Sequence, residues 1–157
     1  MTSNHMNSSI SSQKQDIEQL LRDGVTIRIR PQGNSMYPLF HSERDEAYIS
    51  PADPGCLRRG DVALYRRDHG ILVLHRIWKC NANGFYMVGD NQTEIEGPLR
   101  PDQIRGKLTD IVHCGHTFSV RNPLYCFLSW LWLFLRPIRP VIWHTMSGLR
   151  KFLRHFH

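Results

Sequence analysis

Apolar and polar positions along the chain change period more than once, and each change marks a different kind of element. Between Ser12 and Gly24, Ile17, Leu20 and Leu21 recur at helical spacing among charged and amide residues. Ser12 followed by Gln15 has the form of a capping box, and Gly24 supplies a stop. A short helix covering one edge of the core is predicted there. From Val25 the period falls to two, with Val25, Ile27 and Ile29 alternating with Thr26, Arg28 and Arg30. That is the pattern of a half-buried strand. Further strands are predicted over 46–50, 61–66, 71–79, 85–88 and 107–112. Asp68-His69-Gly70 and Asn83-Gly84 are hairpin signals, and Asn83-Gly84 fits a type I′ turn because both residues tolerate positive φ. Short strands at this spacing predict a mainly β domain over residues 12–120, barrel-like or a folded-over sheet. Residues 1–11 are polar, rich in Ser and Asn, and expected to be disordered.

Residues 121–157 carry a third pattern. Leu124–Leu135 is almost wholly apolar, but twelve helical residues reach only about 18 Å, short of a hydrocarbon core roughly 30 Å thick. Pro137 and Pro140 interrupt the run. Ile142, Met146, Leu149, Leu153 and Phe156 then recur at helical spacing opposite Arg150, Lys151 and Arg154. The tail reads as helical, apolar and basic, suited to lying in a membrane interface. A helical hairpin packed on the β domain or on a second subunit is the alternative.

Charge sharpens that picture. The net charge of +6 arises entirely in residues 111–157, which hold six basic residues and no acidic ones. Three of the four tryptophans fall there too, and tryptophan favours the headgroup region. An anionic membrane surface is therefore the expected partner of residues 124–157. Nucleic acid is not expected, because the aromatic residues form one apolar block instead of alternating with basic ones. Cys56, Cys80, Cys114 and Cys126 are scattered, and no secretion signal is read at the N-terminus. Reduced thiols in the cytoplasm are the expectation. His113-Cys114-Gly115-His116 has no second ligand pair at zinc-site spacing, so neither metal nor cofactor is expected.

The chemistry lies in two short stretches. Gly33-Asn34-Ser35-Met36-Tyr37-Pro38 sets a serine in a tight, exposed turn, and Leu74-His75-Arg76-Ile77 sets a histidine in a strand. A serine hydroxyl needs a neighbouring base to become a nucleophile, and a neutral imidazole is suited to that role. In chain order these are joined by Arg59-Gly60-Asp61-Val62-Ala63-Leu64-Tyr65, Gly89-Asp90-Asn91 and Ile104-Arg105-Gly106-Lys107. The ordered set, spanning residues 27–115, resembles the signal peptidase I and LexA-like serine peptidase superfamily. His75-Arg76 resembles its serine–histidine branch, found in archaeal and endoplasmic-reticulum signal peptidases, where other members use lysine.

The resemblance implies a signal-peptidase/LexA-like folded sheet, with Ser35 as nucleophile and His75 as general base and later acid. It implies an orienting carboxylate at Asp90, by position in the Gly-Asp-Asn block, or at Glu96, with Glu94 close by. The backbone N–H of Ser35 would meet the oxyanion with help from Asn34, and Met36 belongs to the same substrate-binding turn. Arg76 is expected to pair with a carboxylate near the site, and Asp61 to stabilise a turn. The substrate implied is an extended precursor or leader peptide. Membrane signal peptidases carry a spanning helix before the serine, whereas here that region is polar. The expectation is thus a cytoplasmic peptidase held on the inner membrane face by its tail. A self-cleaving regulator of LexA type is disfavoured by the short segment before residue 25 and by histidine in place of lysine. A catalytically silent membrane-surface adaptor is the remaining alternative.

Overall fold

Alternating strands need partners for their backbone groups, and eight of them find each other in one antiparallel sheet. The computed structural model describes residues 17–138 of the chain. The N-terminal polar stretch, the capping box at Ser12 and Gln15, and the amphipathic pattern from Ile142 to Phe156 lie outside the described residues. Helix α1 (residues 17–22) precedes β1 (Ile27–Ile29), β2 (Glu46–Ser50), β3 (Val62–Arg66), β4 (Leu72–Asn81) and β5 (Gly84–Val88). There follow β6 (Glu96–Leu99), β7 (Ile104–His113), β8 (His116–Ser119) and helix α2 (Pro123–Phe134). The strand order is β1-β2-β7-β3-β4-β5-β6. Strand β7 is the spine: β2 runs along one edge, while β3 and then β8 share the other.

The period of two sorts side chains onto two faces, each with its own core. Val62, Leu64 and Leu74 join Ile27, Ala47, Ile49, Leu108 and Ile111 on one face, closed by Leu21 of α1 and by Met36 and Phe40. Ala63, Tyr65 and Ile77 join Phe85, Met87, Leu99 and Ile104 on the other. His75 therefore shares a face with Tyr65, and Arg76 turns to the opposite one.

Several expectations change. Leu20 is 42% exposed, so of the three apolar residues only Leu21 and Ile17 turn toward the core. Val25 is exposed ahead of β1, its N–H spent on the carbonyl of Leu20. The type I′ turn does not form at Asn83-Gly84: Asn81 pairs with Gly84, leaving Ala82 and Asn83 at the centre without positive φ. It forms instead at Cys114 (φ 49°) and Gly115 (φ 81°), between the paired His113 and His116. The His-Cys-Gly-His stretch is thus the tip of the β7–β8 hairpin, and His113 Nδ1 lies 2.8 Å from Asp45 Oδ1. All four cysteines are free and exposed.

Helix α2 confirms the helical reading of the apolar run and divides its surroundings. Asn122 caps it by accepting the N–H of Leu124 at 2.9 Å. One face is fastened to the domain through buried Leu133, Tyr125 and the Trp132 indole. The other leaves Phe127, Trp130 and Phe134 exposed, with ring centroids 6.5 and 5.6 Å apart in succession. Among the described residues no helix is long and apolar enough to cross a membrane.

Candidate active site

The serine sits on a loop fixed at both ends by burial. After β1 the chain turns at Gly33 (φ 82°), and Met36 and Phe40 are driven into the first core, leaving Ser35 half-buried between them and solvent. The N–H of Tyr37 closes the turn on the Asn34 carbonyl at 3.2 Å. Exposed Asn34 also accepts from the Ser42 hydroxyl through Oδ1, at 3.2 Å. Met36 is 4% exposed, so its side chain serves the core and the inner wall of the turn. The Ser35 carbonyl accepts the N–H of Asn91 at 2.7 Å. A Cβ on Gly89 would lie 2.7 Å from that same carbonyl oxygen. Glycine at this position lets the Gly-Asp-Asn loop close onto the serine backbone.

His75 is fixed from the other direction. It lies in β4 opposite Ala63 and is 3% exposed. Its Nδ1 is 3.1 Å from the Tyr65 hydroxyl, which donates to Glu96 Oε2 at 2.7 Å. The phenol has one proton, and Glu96 takes it. Tyr65 Oη must therefore accept from His75, which puts the imidazole proton on Nδ1 and leaves Nε2 unprotonated; the tautomer is inferred from this donor sequence. Arg67 completes the chain with two bonds to Glu96, at 2.7 and 2.5 Å.

The protonation states agree with that reading. Desolvation lowers His75 from 6.5 to about 4 against a partial pull upward from Glu96, so the ring is neutral at pH 7. Burial, followed by the bond to Glu96, pushes the Tyr65 hydroxyl far above its ordinary value and keeps it a donor. Desolvation pushes Glu96 up, but the bonds from Arg67 and Tyr65 outweigh it and hold the carboxylate ionised.

The two candidate carboxylates are separated by the pleat. Asp90 meets Arg76 in a bidentate pair at 2.8 and 2.7 Å, with side chains 0% and 1% exposed. Arg76 also donates to the Gly60 carbonyl at 2.8 Å and toward the Tyr125 hydroxyl at 3.4 Å. Trp132 Nε1 donates to the Asp90 carbonyl at 2.8 Å. Asp90 thus braces the serine loop through Asn91, while Glu96 reaches the histidine through Tyr65. Asp61 accepts the N–H of Arg58 at 2.9 Å, closing the turn before β3. Tyr65, Arg67 and Trp132 were not singled out from sequence. Tyr65 stands inside a motif block, and its place two residues from the partner of His75 on the same face was the available signal.

Among the described residues no hydrogen bond joins Ser35 to His75, and buried His75 does not line the groove that Ser35 borders. What the structure brings together is a groove of ≈ 620 Å³ with Gln32, Gly33 and Ser35 on one wall and Ile71–Leu74 on the other. Strand β5 pairs with β4 only from Arg76 onward. Residues 72–75 therefore have a strand partner on the β3 side alone, and their outer edge borders this groove. Comparison with protein-family models, curated proteins and solved structures gave no match.

Proposed function

We propose that this chain is a serine endopeptidase of signal-peptidase-like type that cleaves an extended precursor or leader peptide. The observation that carries the reading is the buried His75–Tyr65–Glu96 chain, which leaves a neutral imidazole with Nε2 as its free base. The substrate adds as a strand along the open edge of β4, its carbonyls and N–H groups pairing with backbone there. Ser35 Oγ attacks the scissile carbonyl while Nε2 takes the hydroxyl proton. The tetrahedral oxyanion is met by the Ser35 N–H, with the Asn34 side chain at hand. Collapse breaks the C–N bond, and the imidazolium returns its proton to the leaving amine. Water then repeats the sequence on the acyl-enzyme, with His75 again as base. Glu96 stabilises the imidazolium through Tyr65, and Arg76–Asp90 holds the loop that carries the nucleophile.

The reading extends to place and fold. A signal-peptidase/LexA-like arrangement fits a folded antiparallel sheet with the serine on a loop and the base on a neighbouring strand. The exposed Phe127–Trp130–Phe134 ridge and the all-basic segment after residue 110 support residence on the inner membrane face. Terminal-peptide mass spectrometry tests the activity, using lysate and membranes incubated with wild type, Ser35→Ala and His75→Ala. New termini that require both residues are the expected result. Termini that persist in His75→Ala would reassign the base, and none from folded wild type would leave the adaptor reading.

A further inference from the structure

Behind α2 lies a cavity of ≈ 450 Å³, walled by Val62 and Leu108 of the sheet and by Trp130, Leu133 and Phe134 of the helix. Its size falls in the range of small-molecule sites, about 300–1,000 Å³. Arg59, Cys126, Trp130 and Phe134 are the exposed lining residues, so the cavity opens on their side. Its polar groups are unevenly committed. Arg76 is committed to Asp90, the Gly60 carbonyl and Tyr125. Asp61 is neutralised by Lys107 at 2.9 Å and accepts the Arg58 N–H. The Ser129 hydroxyl lines the cavity, is buried, and has no hydrogen-bond partner. Among the described residues Arg59 has no carboxylate partner.

We propose that this cavity is a binding site for a single acyl chain bearing an anionic head. The apolar walls take the chain. Ser129 donates to a carboxyl or ester oxygen, which relieves a buried hydroxyl that otherwise costs stability. Arg59 meets the charge at the open side, since the nearby Asp61 is committed to Lys107 and the Arg58 N–H. The ligand is either a free fatty acid or a phospholipid that seats one of its two chains here, drawn from the bilayer that the proposed function places against the adjoining ridge. The site is separate from Ser35 and His75, and Ser35→Ala is expected to bind like wild type. Failure of the peptidase reading would therefore leave this proposal standing, and the converse holds too.

The test is calorimetric titration of the full chain with decanoate and, separately, decanol. Wild type is expected to bind decanoate saturably at one site. Arg59→Gln should weaken decanoate roughly tenfold and leave decanol unchanged, as loss of one charge-assisted contact requires. Ser129→Leu, which fills the cavity, should abolish binding of both while keeping or raising the melting temperature. The source is resolved by native mass spectrometry after incubation with phosphatidylglycerol vesicles. A phospholipid adduct in wild type but not in Ser129→Leu assigns the bilayer; decanoate binding without such an adduct assigns free fatty acid. Either supports the site. Absence of saturable binding to folded wild type, or undiminished binding by Ser129→Leu, would overturn it.

Discussion

At the scale of single residues, the proposed mechanism depends on one hydroxyl. Tyr65 stands between His75 and Glu96, and Tyr65→Phe removes the acceptor that fixes the imidazole tautomer while keeping the ring in its core. Turnover of the substrate found by terminal-peptide analysis should fall about 10²-fold, the lower range for general base catalysis. Nitrogen NMR shifts should show His75 losing its Nδ1–H preference; an unchanged rate would remove Tyr65 from the mechanism. The folded pKa of His75 is lowered from 6.5 to about 4, so between those values the unfolded chain binds the extra proton. Its contribution to stability is complete above pH 6.5 and is lost as pH falls toward 4. Denaturant titrations across this window should show the decline, and His75→Gln should flatten it. The acid limb of kcat/KM should likewise fall near pH 4 instead of 6.5. Sequence made Ser35 and His75 visible because each sits in a short local motif. The division of labour between Asp90 and Glu96 was not visible, because it depends on which face of β4 each neighbour occupies. Arg76 takes Asp90 on one side, and Tyr65 passes Glu96 to His75 on the other.

Elements were legible where alternation was strong and opaque where the breakers spoke louder. Strand β2 is found over the expected residues, and β7 extends beyond its apolar run at both ends. Strand β6 reads Glu-Gly-Pro-Leu, a sequence that looks like a turn. It forms at the end of the sheet order, where Pro98 has no ladder bond to forfeit on its outer side. The short β8 is likewise made by tertiary pairing with β7, after a turn that Cys114 enters at positive φ. Helix α2 was legible as a helix, but its docking was not, since it depends on tertiary contacts such as the Trp132 indole on the Asp90 carbonyl. That contact carries a prediction. Trp132→Phe keeps an aromatic ring but loses the bond to Asp90, whose loop holds the Ser35 carbonyl. One net hydrogen bond is worth about 1 kcal/mol, so turnover should drop on the order of fivefold with KM unchanged. A fall matched by equal loss of thermal stability would mean that Trp132 only holds the fold.

The described residues join a sheet whose candidate site is inward to a helix whose outer face leaves Phe127, Trp130 and Phe134 exposed. The Arg76–Asp90 pair lies where these meet, touched by β4, the Gly-Asp-Asn loop and α2. Arg76→Met would strand a buried carboxylate and should cost about 3–5 kcal/mol in denaturant unfolding. Arg76→Met with Asp90→Asn should recover part of that loss. The outer face answers to a different force. Phe127, Trp130 and Phe134 are each more than half exposed, so replacing all three by serine removes little packing from the fold. Binding to phosphatidylglycerol vesicles should nevertheless fall strongly, because insertion draws on apolar area at roughly 25 cal/mol per Å². Each basic residue near an anionic surface adds about 1 kcal/mol, and that part is screened by salt. Co-sedimentation of wild type should therefore weaken in 0.5 M salt, taken as about three times physiological ionic strength, without vanishing. The triple serine variant should lose the salt-resistant part and keep the salt-sensitive one. If wild type were released completely by salt, the ridge would have no part in holding it and the basic tail alone would account for attachment. If the triple variant behaved like wild type, α2 would face something other than a bilayer.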